Sequence, residues 1–164
     1  MEFNYNSSGN WSVDSVQERY RNLSLQLGGV AGFYPEPRKY TNQRGASWTY
    51  NVMESVVDGV QLGDCACIEL SIEYIADSPM GSNTGYIRER MARALRHAEL
   101  SDKQKARLAF IFINMLKTGK LYKEYREYIR LFKCIGINPY RPELCGLANS
   151  NKLYVRRAVE KLLA

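Results

Sequence analysis

The sequence has little of the chemistry on which most enzyme sites depend. His97 is the only histidine among 164 residues, which argues against a Ser/His/Asp triad and excludes a metal site built on two histidines. The chain also lacks a GxGxxG or GxxxxGK[S/T] segment that would cradle a nucleotide phosphate. We therefore predict no catalytic residue, no metal site and no cofactor, and we keep an uncharacterised enzyme only as a second alternative.

Long apolar runs and export features are missing as well. The longest apolar run, 108–113, is far shorter than the roughly 18 residues of a membrane span. The first twelve residues, MEFNYNSSGNWS, have neither the basic start nor the apolar middle of a secretion signal. We expect a cytoplasmic protein with no membrane contact. Its four cysteines are then reduced thiols that act as small buried apolar residues, and they are Cys65, Cys67, Cys134 and Cys145.

The composition is that of an ordinary globular protein, with 45% apolar and 24% charged residues. A chain of this length fits one domain, so we predict a single helical domain over 1–164. The net charge of +6 is unevenly distributed. Residues 1–86 contain five Lys or Arg against ten Asp or Glu, whereas residues 87–164 contain eighteen against seven. This asymmetry indicates either an anionic partner for the second half or neutralisation of one half by the other.

Apolar residues recur at helical spacing through most of the chain, and this predicts an all-α fold of about seven helices. Ser12 or Asp14, Asp64 and Ser101 are typical N-caps, and Ser101 with Gln104 has the form of a capping box. The helix that follows Ser101 is apolar nearly all round, which predicts a central buried helix. The predicted helices cover 11–27, 50–61, 65–75, 86–98, 101–116, 121–135, a short segment from Pro139 to Leu147, and a last helix capped by Ser150 or Asn151.

Residues 65–75 fit two kinds of secondary structure. Ile68, Ile72 and Ile75 share one face of a helix, but the strict alternation of Ile68, Leu70, Ile72 and Tyr74 would also suit a strand. The preceding cap and the helical neighbours favour a helix.

Two segments lack a regular pattern. Residues 1–10 are rich in Asn, Ser and Gly, and we expect them to be frayed. Residues 28–48 form a long loop in which the aromatic side chains of Tyr34, Tyr40 and Trp48 alternate with cations. Such aromatics can form a stacking surface for bases or a peptide groove, or they can simply pin the loop to the core.

Two segments of the second half align without gaps, and both begin with Ser-Asn. Residues 82–95 lie over residues 150–163, and both place Tyr, a β-branched residue and Arg at the same positions. Through Ile87-Arg88 and Val155-Arg156 the pattern resembles HEAT-like helical repeats. The resemblance implies a short HEAT-like α-solenoid, in which the β-branched residue packs between repeats and the arginine ties neighbouring units. The alternative is a compact multi-helix bundle.

Basic residues line the faces of three predicted helices in the second half. Basic residues in one row can follow a phosphate backbone or meet an acidic protein surface. We therefore predict a non-enzymatic interaction module that binds a protein partner or acidic surface through a basic C-terminal face. The alternative is a nucleic-acid-binding protein led by backbone contacts, and the oligomeric state stays open. The candidate binding residues are Arg90, Arg93, Arg96, Lys123, Arg126, Arg130, Lys133, Arg156 and Arg157.

Overall fold

The computed structural model describes residues 1–164, and most of them are helical. The all-α prediction is confirmed, with eight α-helices where about seven were expected and a small sheet beside them. The α-helices are α1 (Val13–Leu27), α2 (Val52–Gln61), α3 (Cys65–Asp77), α4 (Thr84–Leu95), α5 (Asp102–Thr118), α6 (Tyr125–Ile135), α7 (Arg141–Leu147) and α8 (Leu153–Leu163). Short 3-10 turns cover Gly9–Trp11 and Asn138–Tyr140.

Most predicted helix ends are confirmed by their hydrogen bonds. Ser12 accepts from the Ser15 backbone N–H at 3.2 Å and caps α1. Ser101 and Gln104 form the reciprocal capping box at the start of α5. Gly119 ends α5 in the left-handed conformation, with φ of 70°, which favours glycine.

Residues 65–75 belong to the helix α3, which Asp64 caps. Eight of its thirteen residues are buried, because α1, α2, α4 and α5 all contact it. A helix surrounded on nearly all sides can carry apolar residues at any spacing, which explains the alternation that also suited a strand. The central helix is therefore α3. The prediction that α5 is central, which was based on its apolar character, is wrong.

The helices are arranged in two rows that follow the chain in alternation. The odd-numbered helices contact one another in the order α1, α3, α5, α7, and the even-numbered helices in the order α2, α4, α6, α8. Helices adjacent in sequence lie in different rows. The apolar side chains between the rows form one cluster of 34 buried residues that includes side chains from every α-helix.

The first ten residues and the 28–48 loop differ from the prediction. Strands β1 (Glu2–Asn4), β2 (Lys39–Thr41) and β3 (Ser47–Thr49) form a three-stranded sheet in the order β1-β3-β2. The N-terminus is therefore held in a strand rather than frayed, and the long loop contains a hairpin. Aromatic residues at facing positions stabilise this pairing, since Phe3 and Tyr40 flank Trp48 with ring centroids 5.9 and 5.7 Å from it.

Most helices begin within two residues of the predicted start, but α6 and α8 differ in the starting residue or in the cap. Helix α6 begins at Tyr125 and not at Leu121, because the preceding residues form a turn. The N-cap position of α8 is Lys152 rather than Ser150 or Asn151. The Ser150 hydroxyl instead accepts a hydrogen bond from the Lys152 backbone N–H, before the helix begins.

The cysteines only partly follow the expectation of small buried residues. All four are free thiols, but only Cys67 is buried, whereas Cys65, Cys134 and Cys145 are exposed. Burial raises the pKa of the Cys67 thiol, and the nearby Asp64 carboxylate raises it further. Cys67 packs against Gly59, where a Cβ atom would lie 2.2 Å from its sulfur.

Candidate functional site

The predicted basic residues of α4 and α6 meet on one side of the molecule. These two helices are neighbours in the even-numbered row, so the polar sides that they turn away from the core lie next to each other. We call this surface the arginine face. It consists of Arg90, Arg93 and Arg96 from the α4 segment and Arg126 and Arg130 from α6.

Glu89 of α4 joins the two helices at one end of the arginine face. Its Oε1 accepts from Arg126 Nη2 at 2.7 Å and from Arg93 Nη2 at 2.9 Å. The hydrogen bond from Arg126 holds the pKa of the Glu89 carboxyl below its ordinary value, and the same bond raises the pKa of Arg126. Glu89 is thus a bridge between an arginine of its own helix and one of the neighbouring helix.

Glu127 of α6 is a second carboxylate within the arginine face, and it is almost fully buried. Its oxygens lie 3.0 Å from Arg130 Nη1, 3.6 Å from Arg93 Nε and 3.8 Å from Arg96 Nη2. Its side chain is 2% exposed, so one buried negative charge holds three guanidinium groups around it. The side chains of Arg93 and Arg130 nevertheless remain 43% and 60% exposed to solvent.

Acidic residues of α2 form a separate network with Arg90. Arg90 lies 3.6 Å from Glu54 and 4.0 Å from Asp58, and Asp58 also pairs with Arg38. Neutralisation of the basic half by the acidic half, one of the two explanations of the charge asymmetry, therefore applies to only part of the arginine face. The acidic half neutralises Arg90, whereas most arginines of the face are paired within the basic half. Four arginines surround two carboxylates in the network of Glu89 and Glu127, which leaves it positively charged. The separate network on α2 is balanced, with two arginines and two carboxylates.

The other four predicted cations join neither of these two networks. Lys133 Nζ lies 3.4 Å from the Ala164 backbone oxygen, and Arg156 Nη1 donates to the Ser150 backbone oxygen at 2.6 Å. Lys123 and Arg157 are exposed and have no ion-pair partner. Shared carboxylates connect four of the nine predicted residues, and the third stripe, on α8, stays separate from them. The four are Arg93, Arg96, Arg126 and Arg130.

The three predicted loop aromatics are not brought to one place. Tyr34 packs edge-to-face on Tyr20 with ring centroids 5.8 Å apart, which pins the loop against α1. Tyr40 and Trp48 belong to the sheet, where Tyr40 is 55% exposed and Trp48 is half-buried. The three candidate side chains therefore divide between the core and the sheet, and Tyr34 has the pinning role that was the alternative to a stacking surface.

One exposed aromatic was missed by the sequence analysis. Phe110 of α5 is 73% exposed and borders a groove of about 770 Å³ between α1, α3 and α5. It lies on the polar side of its helix, in the same row as Arg107, Asn114 and Lys103, which are three, four and seven residues away. That spacing was readable in the sequence, because residues seven apart share a helix face.

No side chains are arranged to hold a metal ion, since no group of three or more His, Cys, Asp and Glu residues comes together. None of the eight α-helices combines the length and the apolar character that a bilayer crossing requires. Comparisons with known proteins give no match: no family model, no curated protein and no solved structure is significantly similar to this chain.

Proposed function

We propose that this protein is a non-enzymatic binding module that holds an acidic protein surface against its arginine face. The observation that carries the proposal is the convergence of guanidinium groups from two neighbouring helices. Arg93, Arg126 and Arg130 are 43%, 63% and 60% exposed, although all are already oriented by carboxylates. A carboxylate that orients an arginine restricts this long side chain before binding. The loss of side-chain entropy on binding is then smaller.

The chemistry of the face favours protein carboxylates over nucleic-acid phosphates. Glu89 and Glu127 lie among the arginines, so a phosphate backbone following the face would approach negative charge at two points. A partner protein can avoid this repulsion, because its own acidic and neutral side chains are spaced individually. Arginine forms specific, planar hydrogen bonds with carboxylates, and Arg126 already contacts Glu89 through both Nε and Nη2.

The placement of the buried acids supports a non-enzymatic role. Asp64 accepts from Tyr20 and from backbone N–H groups, Glu124 pairs with Arg88, and Glu127 pairs with arginines of the face. A general acid or base must reach the proton that it transfers, and none of these three side chains is more than 5% exposed.

The two-row arrangement of helices also supports a scaffold. Stacked helical hairpins present extended faces to partners, and the arginine face lies along one row. The resemblance of the sequence to HEAT-like repeats agrees with such a role. It stays a prediction, because it depends on two short aligned segments.

Affinity capture from the native cytoplasm tests the proposal. The bait is the full chain, compared with an Arg126→Gln/Arg130→Gln variant that removes two exposed positive charges. The matched control is Arg44→Gln/Arg141→Gln, since both arginines are exposed, lack ion-pair partners and lie outside α4 and α6. We expect one stoichiometric protein partner that the control retains and the first variant loses.

The same experiment distinguishes a protein partner from the alternative, a nucleic acid. Nuclease treatment before capture leaves a protein partner in place but releases material held through DNA or RNA. If the chain shifts the mobility of duplex DNA, and if its affinity for the DNA falls steeply with salt, the nucleic-acid alternative would be supported and our proposal contradicted. Capture of no stoichiometric protein by the wild-type chain, or equal capture by both variants, would contradict the proposal.

A further inference from the structure

The Phe110 groove lies on helices that contribute nothing to the arginine face. Its apolar lining includes Trp11, Ala76 of α3, and Phe110 and Ile111 of α5. Its volume of about 770 Å³ lies within the range of ligand-binding clefts. It is built from α1, α3 and α5 of the odd-numbered row, whereas the arginine face belongs to α4 and α6. Binding at the groove is therefore independent of the function proposed above.

Most polar groups on the rim of the groove are already bound to one another. Arg19 pairs with Glu73 at 3.2 Å and stacks over the Trp11 ring at 4.1 Å. Trp11 Nε1 donates to Asp77 at 2.7 Å. Arg107 pairs with Glu69 at 2.7 Å. A ligand that displaced these contacts would have to replace each of them. These side chains therefore hold the shape of the groove and are not available to bind a ligand.

Two groups on the rim have no such partner. Lys103 is exposed and forms neither an ion pair nor a hydrogen bond. Phe110 exposes 73% of its surface, although it sits beside other apolar residues of the groove. An ammonium group and an aromatic ring are thus the two features that this groove offers to a ligand. Their complement is a negative charge and a large apolar side chain.

The distance between these two groups indicates the shape of the ligand. Lys103 and Phe110 are seven residues apart on α5, which corresponds to two helical turns or about 10.5 Å. A second helix lying alongside α5 presents its own side chains at the same period. An acidic residue and an apolar residue seven positions apart on that helix would meet Lys103 and Phe110 together.

We propose that the Phe110 groove binds an amphipathic helix of a partner protein, with an apolar anchor against Phe110 and a carboxylate on Lys103. The mode is that of a helix laid into a groove, read through anchors on one face. The charge complementarity at Lys103 requires that the acidic residue of the partner helix lie beside the start of α5. The chain then offers two separate docking surfaces, one on each row of helices.

Selection from a phage-displayed library of random 18-residue helical peptides tests this inference. The full chain is the target, and the affinity of the best peptide is measured by fluorescence anisotropy. We expect selected peptides to share Asp or Glu seven positions from Leu, Phe or Trp. Phe110→Ala should weaken binding at least ~10-fold, as truncation of a central anchor does. Leu25→Ala is the matched control, because Leu25 is 87% exposed and does not line the groove.

A charge exchange tests the contact at Lys103. Lys103→Glu should weaken the selected peptide, and a peptide in which the acidic residue becomes Lys should restore binding to this variant. Lys161→Glu on α8 is the control and should leave the affinity unchanged.

Three results would overturn the inference. The selection could return no peptide with this spacing, or Phe110→Ala could leave the affinity of the selected peptide intact. Sedimentation could instead show that the wild-type chain associates with itself and that Phe110→Ala makes it monomeric. In that case a second copy, and not a partner helix, would cover the groove.

Discussion

Arg88 and Glu124 form a buried ion pair that joins α4 to the start of α6, with Nη2 and Oε1 2.7 Å apart. Their side chains are only 3% and 5% exposed. Arg88 also donates from Nε to Glu124 at 2.9 Å and from Nη1 to the Pro79 backbone oxygen at 2.7 Å. This contact holds together the two helices that carry the arginine face.

Removing one member of this pair should strongly destabilise the fold. Glu124→Gln leaves the Arg88 charge buried without a counter-charge, and we expect a loss of about 3–5 kcal/mol in the free energy of unfolding. Urea denaturation followed by circular dichroism measures it. The double variant Arg88→Met/Glu124→Leu buries no charge. Its loss in the free energy of unfolding should be smaller than the sum of the losses for Arg88→Met and Glu124→Leu alone. A loss below about 1 kcal/mol for Glu124→Gln would show that the pair contributes little.

The contact between Gly59 and Cys67 should tolerate no added methyl group. In Gly59→Ala the new Cβ would meet the Cys67 sulfur at 2.2 Å, and such overpacking costs about 1–3 kcal/mol. The control is Gly146→Ala in α7, where nothing lies within 4 Å of the added atom and alanine favours the helix by up to about 1 kcal/mol. Thermal unfolding should show a lowered melting temperature for Gly59→Ala and none for Gly146→Ala. Equal melting temperatures would contradict the packing of α2 on α3.

Thiol accessibility should divide the cysteines three to one. Cys65, Cys134 and Cys145 are exposed, whereas Cys67 is buried and its thiol pKa is raised by burial. Because the thiolate is the reactive form, we expect three thiols per chain to react rapidly with a disulfide reagent at pH 8 and the fourth to react only after unfolding. Four fast thiols in the native protein would contradict the burial of Cys67.

The contribution of Glu89 to stability should depend on pH. The hydrogen bond from Arg126 lowers the pKa of Glu89 in the folded state. A lowered carboxyl pKa stabilises the fold fully above the unfolded-state value, about 4.3 for Glu. That stabilisation disappears as the pH falls through the lowered folded-state pKa.

Glu89→Gln should therefore be less stable than the wild-type chain at pH 7, and the difference should shrink as the pH falls from about 5 towards 3. Melting temperatures measured across this range check the prediction. A difference that is unchanged at pH 3 would mean that the Glu89 charge is not what stabilises the seam between α4 and α6.

The sequence predicted the helices well because local signals mark their ends. Ser12, Asp64, Ser101 and Gly119 have side chains or backbone freedom that cap helices without help from distant residues. The strand β1 could not be predicted in this way. Phe3 pairs with Trp48, 45 residues further along the chain, and a three-residue strand carries no periodicity of its own.

The candidate site was predicted in composition but not in contacts. Helical spacing placed Arg126 and Arg130 on one face of α6. It could not show that Glu127, between them in sequence, would be buried against Arg93 and Arg96 of another helix. Phe110 was assigned to a buried helix because its neighbours are apolar, whereas its exposure depends on the absence of a helix on that side of α5.

The affinity of the captured protein partner, measured by isothermal titration calorimetry, tests the central claim most directly. The wild-type chain and the Arg44→Gln/Arg141→Gln control should bind with the same Kd, and that Kd should rise with salt concentration. Arg126→Gln/Arg130→Gln should raise the Kd at least ~10-fold, with circular dichroism showing an intact fold. An unchanged Kd for this variant would contradict a partner bound through the arginine face.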